Sequence, residues 1–268
     1  MDNRPIGVFD SGVGGLSVMK SLISGLPNEN FIFFGDTARA PYGIRSLEVI
    51  QKFSIQIVNF LLEQNVKAIV IACNTITAAA EETIKNISKD ISVINVIKPT
   101  VNKVVKDYKT LGLIATEFTV NSSVYPKVIH SYNKDIVIYS QACSSIVPKI
   151  ELGILQGVEL EEMVNNCLKF LNSKDIEALI LGCTHYSLIK NVISRYVRKN
   201  TTIIDPAELT VLEVKKYLKD RVITPSERGI QESCFFVSGD VNKFKQIGEI
   251  FLEREIVNLE KMPISSFK

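Results

Sequence analysis

VKAIVIACNTITAA, residues 66–79, joins three kinds of segment without a break. A run of Ile, Val and Ala comes first, then Cys73 with the polar pair Asn74 and Thr75, then a helical pattern. Short β-branched runs without alternation are how a parallel strand covered on both faces reads. Strand, turn and helix in that order form the repeating unit of an α/β sheet. The same device recurs in IEALILGCTHYSLI, residues 176–189. There Gly182 stands where Ala72 stood, Cys183 matches Cys73, and Thr184 and His185 supply the polar pair. Two matched segments whose cysteines lie 110 positions apart predict two related α/β lobes facing each other.

The rest of the chain extends this pattern. Further strand candidates cover 6–9, 31–34, 93–96, 111–115, 136–140, 202–205 and 234–238, beside 68–72 and 178–182 in the paired segments. Helical spacing of Ile50, Phe53, Ile57, Phe60 and Leu61 predicts a helix starting after Ser46 as N-cap. Similar patterns fill 76–88, 158–171, 186–197, 207–219 and 241–253. The alternation predicts an α/β fold with mainly parallel sheet flanked by helices.

The bulk composition excludes several classes. The chain has 268 residues, enough for one large domain or two smaller ones. Its net charge of +2 gives no field that would draw nucleic acid or an anionic membrane. MDNRPIGVFDSG at the start has no apolar signal core, and no apolar run nears the ~20 residues of a spanning helix. A cytoplasmic protein is therefore expected. The five cysteines are odd in number and widely spaced, which argues against a disulfide framework. With no C-x-x-C and no H-E-x-x-H, no metal site is expected.

Ligands in open α/β sheets bind beyond the carboxyl ends of the strands. Cys73 and Cys183 sit there, each before a helix whose N-terminal partial charge favours a thiolate. Cys143, Cys167 and Cys234 lack such neighbours and read as structural. FDSGVGGLSV (9–18) also ends a strand with chemistry. Its G-x-G-G spacing is not that of a dinucleotide loop, and Asp10 would repel a pyrophosphate. Its glycines are expected to let backbone N–H groups approach a small ligand, with Asp10 binding an ammonium group or acting on a nearby thiol. FGDTARAPYG (34–43) is expected to offer backbone N–H groups and the Tyr42 phenol to a carboxylate. His185, two residues after Cys183, is placed as a proton partner for that thiol, whereas His130 reads as a surface histidine.

Together, IGVFDSGVGGLSV (6–18), FFGDTARAPYG (33–43), IACNTITA (71–78) and LGCTHYSL (181–188) resemble the glutamate racemase family. The resemblance continues through IDPAE (204–208) and FFVSGDVNKFKQIGEIFL (235–252), nearly the whole chain. It implies a cofactor-independent racemase that supplies D-glutamate for peptidoglycan, with the site in the cleft between the lobes. It implies a first lobe of residues 1–97 completed by 208–268, a second lobe of 98–207, and a homodimer. It assigns proton abstraction from D-glutamate to Cys73 and from L-glutamate to Cys183, assisted by Asp10 and His185. Ser11, Tyr42, Gly43, Asn74, Thr75 and Thr184 would hold the ammonium and the two carboxylates. Ala115, Ser144 and Ser187 depart from the family pattern, while Thr119 and Glu151 match it loosely and are not ranked as catalytic. Racemisation of aspartate or another amino acid, and a non-catalytic binding protein or thiol sensor, are the competing readings.

Overall fold

The computed structural model describes residues 2–221 and 232–267. Residues 222–231, inside the C-terminal segment expected to complete the first lobe, lie outside them. The chain begins with β1 (Ile6–Asp10), α1 (Leu16–Gly25), β2 (Phe31–Gly35), α2 (Leu47–Glu63), β3 (Ala68–Ile71), α3 (Asn74–Ser88), β4 (Ser92–Asn95) and α4 (Ile97–Asp107). Next come β5 (Thr110–Ala115), α5 (Glu117–Ser122), α6 (Val124–Tyr132), β6 (Val137–Ala142), α7 (Val147–Glu151) and α8 (Val158–Asn172). After them run β7 (Ala178–Gly182), α9 (Thr184–Leu188), α10 (Lys190–Tyr196) and β8 (Thr202–Ile204). The chain ends with α11 (Pro206–Asp220), β9 (Ser233–Val237), α12 (Val241–Leu252) and β10 (Asn258–Lys261).

Two sheets result, ordered β10-β9-β2-β1-β3-β4 and β6-β5-β7-β8. Every pairing in them is parallel. The run β2-β1-β3-β4 has the same order as β6-β5-β7-β8, so the repeat read from the two cysteine segments is a repeat of topology. β3 corresponds to β7, and β1 to β5. All residues of β3 and of β7 are buried, as strands covered by helices on both faces must be. In both sheets the order reverses between the first and third strands. Beyond the carboxyl ends of those strands a crevice opens.

Ser46 caps α2 as expected, its hydroxyl accepting the Val49 N–H at 3.4 Å. The helix expected over 186–197 is two helices, because Ile189 leaves helical geometry at φ −114°, ψ 22°. The expectation that no disulfide forms is corrected at one pair: Cys143 is bonded to Cys167. The turn after β6 runs beside α8, bringing their Cα atoms to 5.8 Å, within the span a disulfide bridges. Cys73, Cys183 and Cys234 are free. Among the described residues no helix is long and apolar enough to cross a membrane.

Candidate active site

Four strand ends converge on one cavity. Asp10 closes β1 and Ser11 follows it; Thr116 follows β5; Cys73 and Cys183 follow β3 and β7. Cys73 and Cys183 both line the cavity, which encloses about 30 Å³. Of the ten residues expected at the site, only Asp10 is absent from its wall. Asp10 is fully buried behind Ser11, so the expectation that it meets a ligand's ammonium directly is not met in this closed arrangement.

The first thiol is tied into a polar chain. Cys73 Sγ lies 3.5 Å from Ser11 Oγ, which donates to Asp10 Oδ1 at 3.4 Å. The same oxygen accepts the Gly12 N–H at 2.9 Å, and Oδ2 accepts the Thr184 hydroxyl at 3.2 Å. Asp10 thus links the Cys73 half-site to the residue beside Cys183. Burial pushes the Asp10 carboxyl up to about 6, against the opposing charge of His185 and the Gly12 N–H. Burial, then the negative charge of Asp10, pushes the Cys73 thiol up to about 12. These surroundings hold Cys73 as a thiol.

The second thiol has a different partner. Cys183 Sγ lies 3.5 Å from Nδ1 of His185, and Nε2 of that ring lies 2.6 Å from Glu151 Oε1. Burial opposes a charge on His185, but the bonds and charges of Cys183 and Glu151 outweigh it and hold its pKa well above the ordinary value. Burial likewise opposes the Glu151 charge, and the His185 bond overcomes it, so that carboxyl lies below its usual range. The result is an imidazolium–carboxylate pair backing Cys183. Glu151 was not ranked among the functional residues from sequence. It ends α7, 34 positions before its partner, and the family resemblance matched it only loosely.

Between the half-sites stands a set of donors. Thr75 Oγ1 lies 2.9 Å from Thr116 Oγ1 and 3.4 Å from Thr119 Oγ1, joining α3 to the start of α5. Thr116 and Thr119 are a further contribution that the sequence reading did not rank. Asn74 lines the cavity beside them. Gly43 packs against Thr116, where a Cβ would come within 2.9 Å of the threonine Cβ. The role expected for the Tyr42 phenol is corrected: its hydroxyl donates to Asp36 Oδ2 rather than standing free for a carboxylate. Asp36 also accepts from Arg39 Nε and Ser238 Oγ, each at 2.6 Å. These donors anchor the 36–43 loop to the end of β9. His130 is exposed, as expected.

The glycines after β1 have a different reason from the one the sequence suggested. A Cβ on Gly14 would stand 2.5 Å from Thr184 Oγ1 and 2.6 Å from His185 Nδ1. Gly15 leaves no room for a Cβ against Asp10. At Gly14 the missing side chain admits Thr184 and His185 from beside the other sheet, and at Gly15 it admits Asp10 from its own sheet. Gly14→Ala should displace His185 and lower kcat/KM about 100-fold, since misplacement of about 1 Å can cost that much. Circular dichroism should show the fold retained, and near-normal turnover would contradict the assignment. Among the described residues no group of three or more His, Cys, Asp or Glu is placed to hold a metal ion.

The positions at which the sequence departs from the glutamate racemase pattern are filled by local bonds. Ser187 Oγ donates to Asp205 Oδ1 at 2.8 Å, and Ser144 Oγ accepts the Glu117 N–H at 2.8 Å. The Ala115 carbonyl accepts the Cys143 N–H at 2.9 Å. None of these bonds involves either free thiol of the cleft.

Comparison with known proteins gives a consistent result. Residues 6–214 match the Asp/Glu/Hydantoin racemase family. Glutamate racemase of Thermoanaerobacter pseudethanolicus is 45% identical over 276 aligned residues, covering 100% of both chains. The structure of glutamate racemase from Francisella tularensis in complex with D-glutamate superposes with a TM-score of 0.94 at 43% identity, covering 100% of both chains. An aspartate racemase homologue from Pyrococcus horikoshii shares the fold, with a TM-score of 0.57 at 17% identity over 81% of this chain and 99% of its own.

Proposed function

The chain belongs to the Asp/Glu/Hydantoin racemase family, and within it to the glutamate racemases, and we propose that Cys73 and Cys183 carry its proton transfers. The reaction is the cofactor-independent interconversion of L- and D-glutamate. The observation that carries this reading is the pair of free thiols at equivalent strand ends, lining one cavity.

Inversion at an α-carbon removes a proton from one face and delivers one to the other. With L-glutamate, the Cys183 thiolate takes the Cα proton and becomes a thiol. The Cys73 thiol then gives its proton to the opposite face and becomes a thiolate. The Cα–H electron pair stays with the substrate, delocalised into the carboxylate, until that second transfer. With D-glutamate the two roles exchange. Cys73, held as a thiol by burial and the Asp10 charge, is suited to be the acid in the L-to-D direction. Asn74 and Thr75 would donate to the carboxylate as its charge grows, while the Thr184 hydroxyl is engaged by Asp10.

Aspartate is the alternative substrate. The comparison at full coverage favours glutamate, since the likeness to the aspartate racemase homologue extends to the fold alone. The test is turnover of both enantiomers of glutamate and of aspartate without added cofactor. Glutamate should invert in both directions with equal kcat/KM, because enantiomers have equal free energy. No inversion of glutamate, or faster turnover of aspartate, would overturn the reading. Two consequences carry over from the family. The D-glutamate feeds peptidoglycan synthesis, which rescue of a D-glutamate auxotroph tests. The chain forms a homodimer, which light scattering tests.

A further inference from the structure

We propose that Tyr125 is a positioning residue for the racemase reaction, orienting the Asn74 amide beside Cys73 from the opposite lobe. Tyr125 lies on α6 and is fully buried. Its hydroxyl donates to Asn74 Oδ1 at 2.8 Å. Asn74 opens α3 directly after Cys73 and lines the cavity, on the far side of the cleft from α6. The bond therefore joins the helix that follows β3 to a helix between β5 and β6, one from each sheet.

A carboxamide has one acceptor and one donor end, and rotation by half a turn exchanges them. Unconstrained, Asn74 would present its oxygen to an incoming carboxylate about as readily as its N–H groups. In the arrangement seen, the Tyr125 hydroxyl donates to Oδ1, which satisfies that oxygen and leaves Nδ2 for the ligand. No hydrogen bond from Nδ2 accompanies the Tyr125 bond to Oδ1 among the described residues, and Asn74 lines the cavity, so Nδ2 is the end of the amide left for a substrate oxygen. Burial raises the Tyr125 phenol well above its ordinary pKa, so it stays a proton donor across the working range. Tyr125 touches no reacting atom. It acts through Asn74.

The proposal rests on the racemase reading, and the experiment separates the two. Wild-type enzyme without activity on glutamate would remove the reading itself; active wild type leaves the Tyr125 proposal to be judged alone. Tyr125→Phe should raise KM for both enantiomers about threefold to tenfold, the worth of one hydrogen bond, with a smaller change in kcat. In an Asn74→Ala background the same substitution should change kcat/KM by less than twofold, because the group it orients is gone. A merely structural tyrosine would instead lower both variants alike. Should Tyr125→Phe not fold, Asn74→Asp reads the pair from its other end. The carboxylate still accepts the Tyr125 proton but offers the substrate no N–H, so KM should rise at least as far. Wild-type KM in Tyr125→Phe or in Asn74→Asp, or an undiminished Tyr125→Phe effect without Asn74, would overturn the proposal.

Discussion

Cys73→Ser and Cys183→Ser should each lower the rate of glutamate inversion by about 100- to 10,000-fold, the usual contribution of a positioned acid or base. Both sulfurs are almost fully buried, at 5% and 6% exposure, and serine is nearly isosteric, so the fold should survive. The two losses differ in kind. With Cys73 replaced, Cys183 still faces L-glutamate, backed by His185 and Glu151. It can remove the Cα proton and return one from solvent, so L-glutamate should take up deuterium in heavy water without inverting. With Cys183 replaced, the label should enter D-glutamate instead. Inversion within threefold of wild type in either variant would contradict the two-thiol account. Label entering the opposite enantiomer in each would reverse the assignment of faces.

Asp10→Asn should make the protein more stable and less active at neutral pH. The Asp10 pKa is raised to about 6 in the fold, from an ordinary value of 3.8. A raised carboxyl contributes stability in full below its unfolded pKa and loses it as pH rises through the folded one. At pH 7 the fold therefore carries a buried charge it would shed, at a cost on the order of 3 kcal/mol. Asparagine keeps the acceptor for Gly12 N–H, and Thr184 can turn its hydroxyl to accept from the new amide. The variant should show a higher Tm than wild type at pH 7. That difference should shrink as pH falls to 4, where wild-type Asp10 is already protonated. Activity should move the other way. The charge of Asp10 holds Cys73 as an acid and is linked through Ser11 to its sulfur, so kcat/KM should fall about 10- to 100-fold, the worth of a charged hydrogen bond. A lower Tm at pH 7, or unchanged kcat/KM, would show that the charge has no such role. Stability given up at a reacting centre is a common trade in enzymes.

The parts of the structure that local pattern controls were legible in the sequence. β3 and β7 announced themselves by aliphatic runs, and Cys73 and Cys183 by standing at the ends of those runs. The edge strand β10 was not legible, because NLEK is mostly exposed and has no apolar face to show. α4, α5 and α7 were also unread; α5 and α7 are short, and α4 begins directly after a strand candidate. At the site, residues beside their partners in sequence were found, as His185 was beside Cys183. Thr116 and Tyr125 were not, and Glu151 showed only as a loose family match, because each acquires its role from a group far along the chain. The same limit explains the glycines. GVGG suggested room for a ligand, and only the facing lobe reveals that Thr184 and His185 fill the room at Gly14. It also explains Tyr42, whose partner Asp36 lies within the quoted loop but whose burial depends on the packed fold.

Early turnover of L-glutamate in heavy water tests the central claim most directly, with the Cα of product and of remaining substrate followed together. Two thiols serving opposite faces predict that the first D-glutamate formed carries deuterium at Cα, while the unconverted L-glutamate keeps its original hydrogen. First-formed D-glutamate that retains the substrate's own hydrogen would mean that one group moves the proton between faces, and would contradict the account.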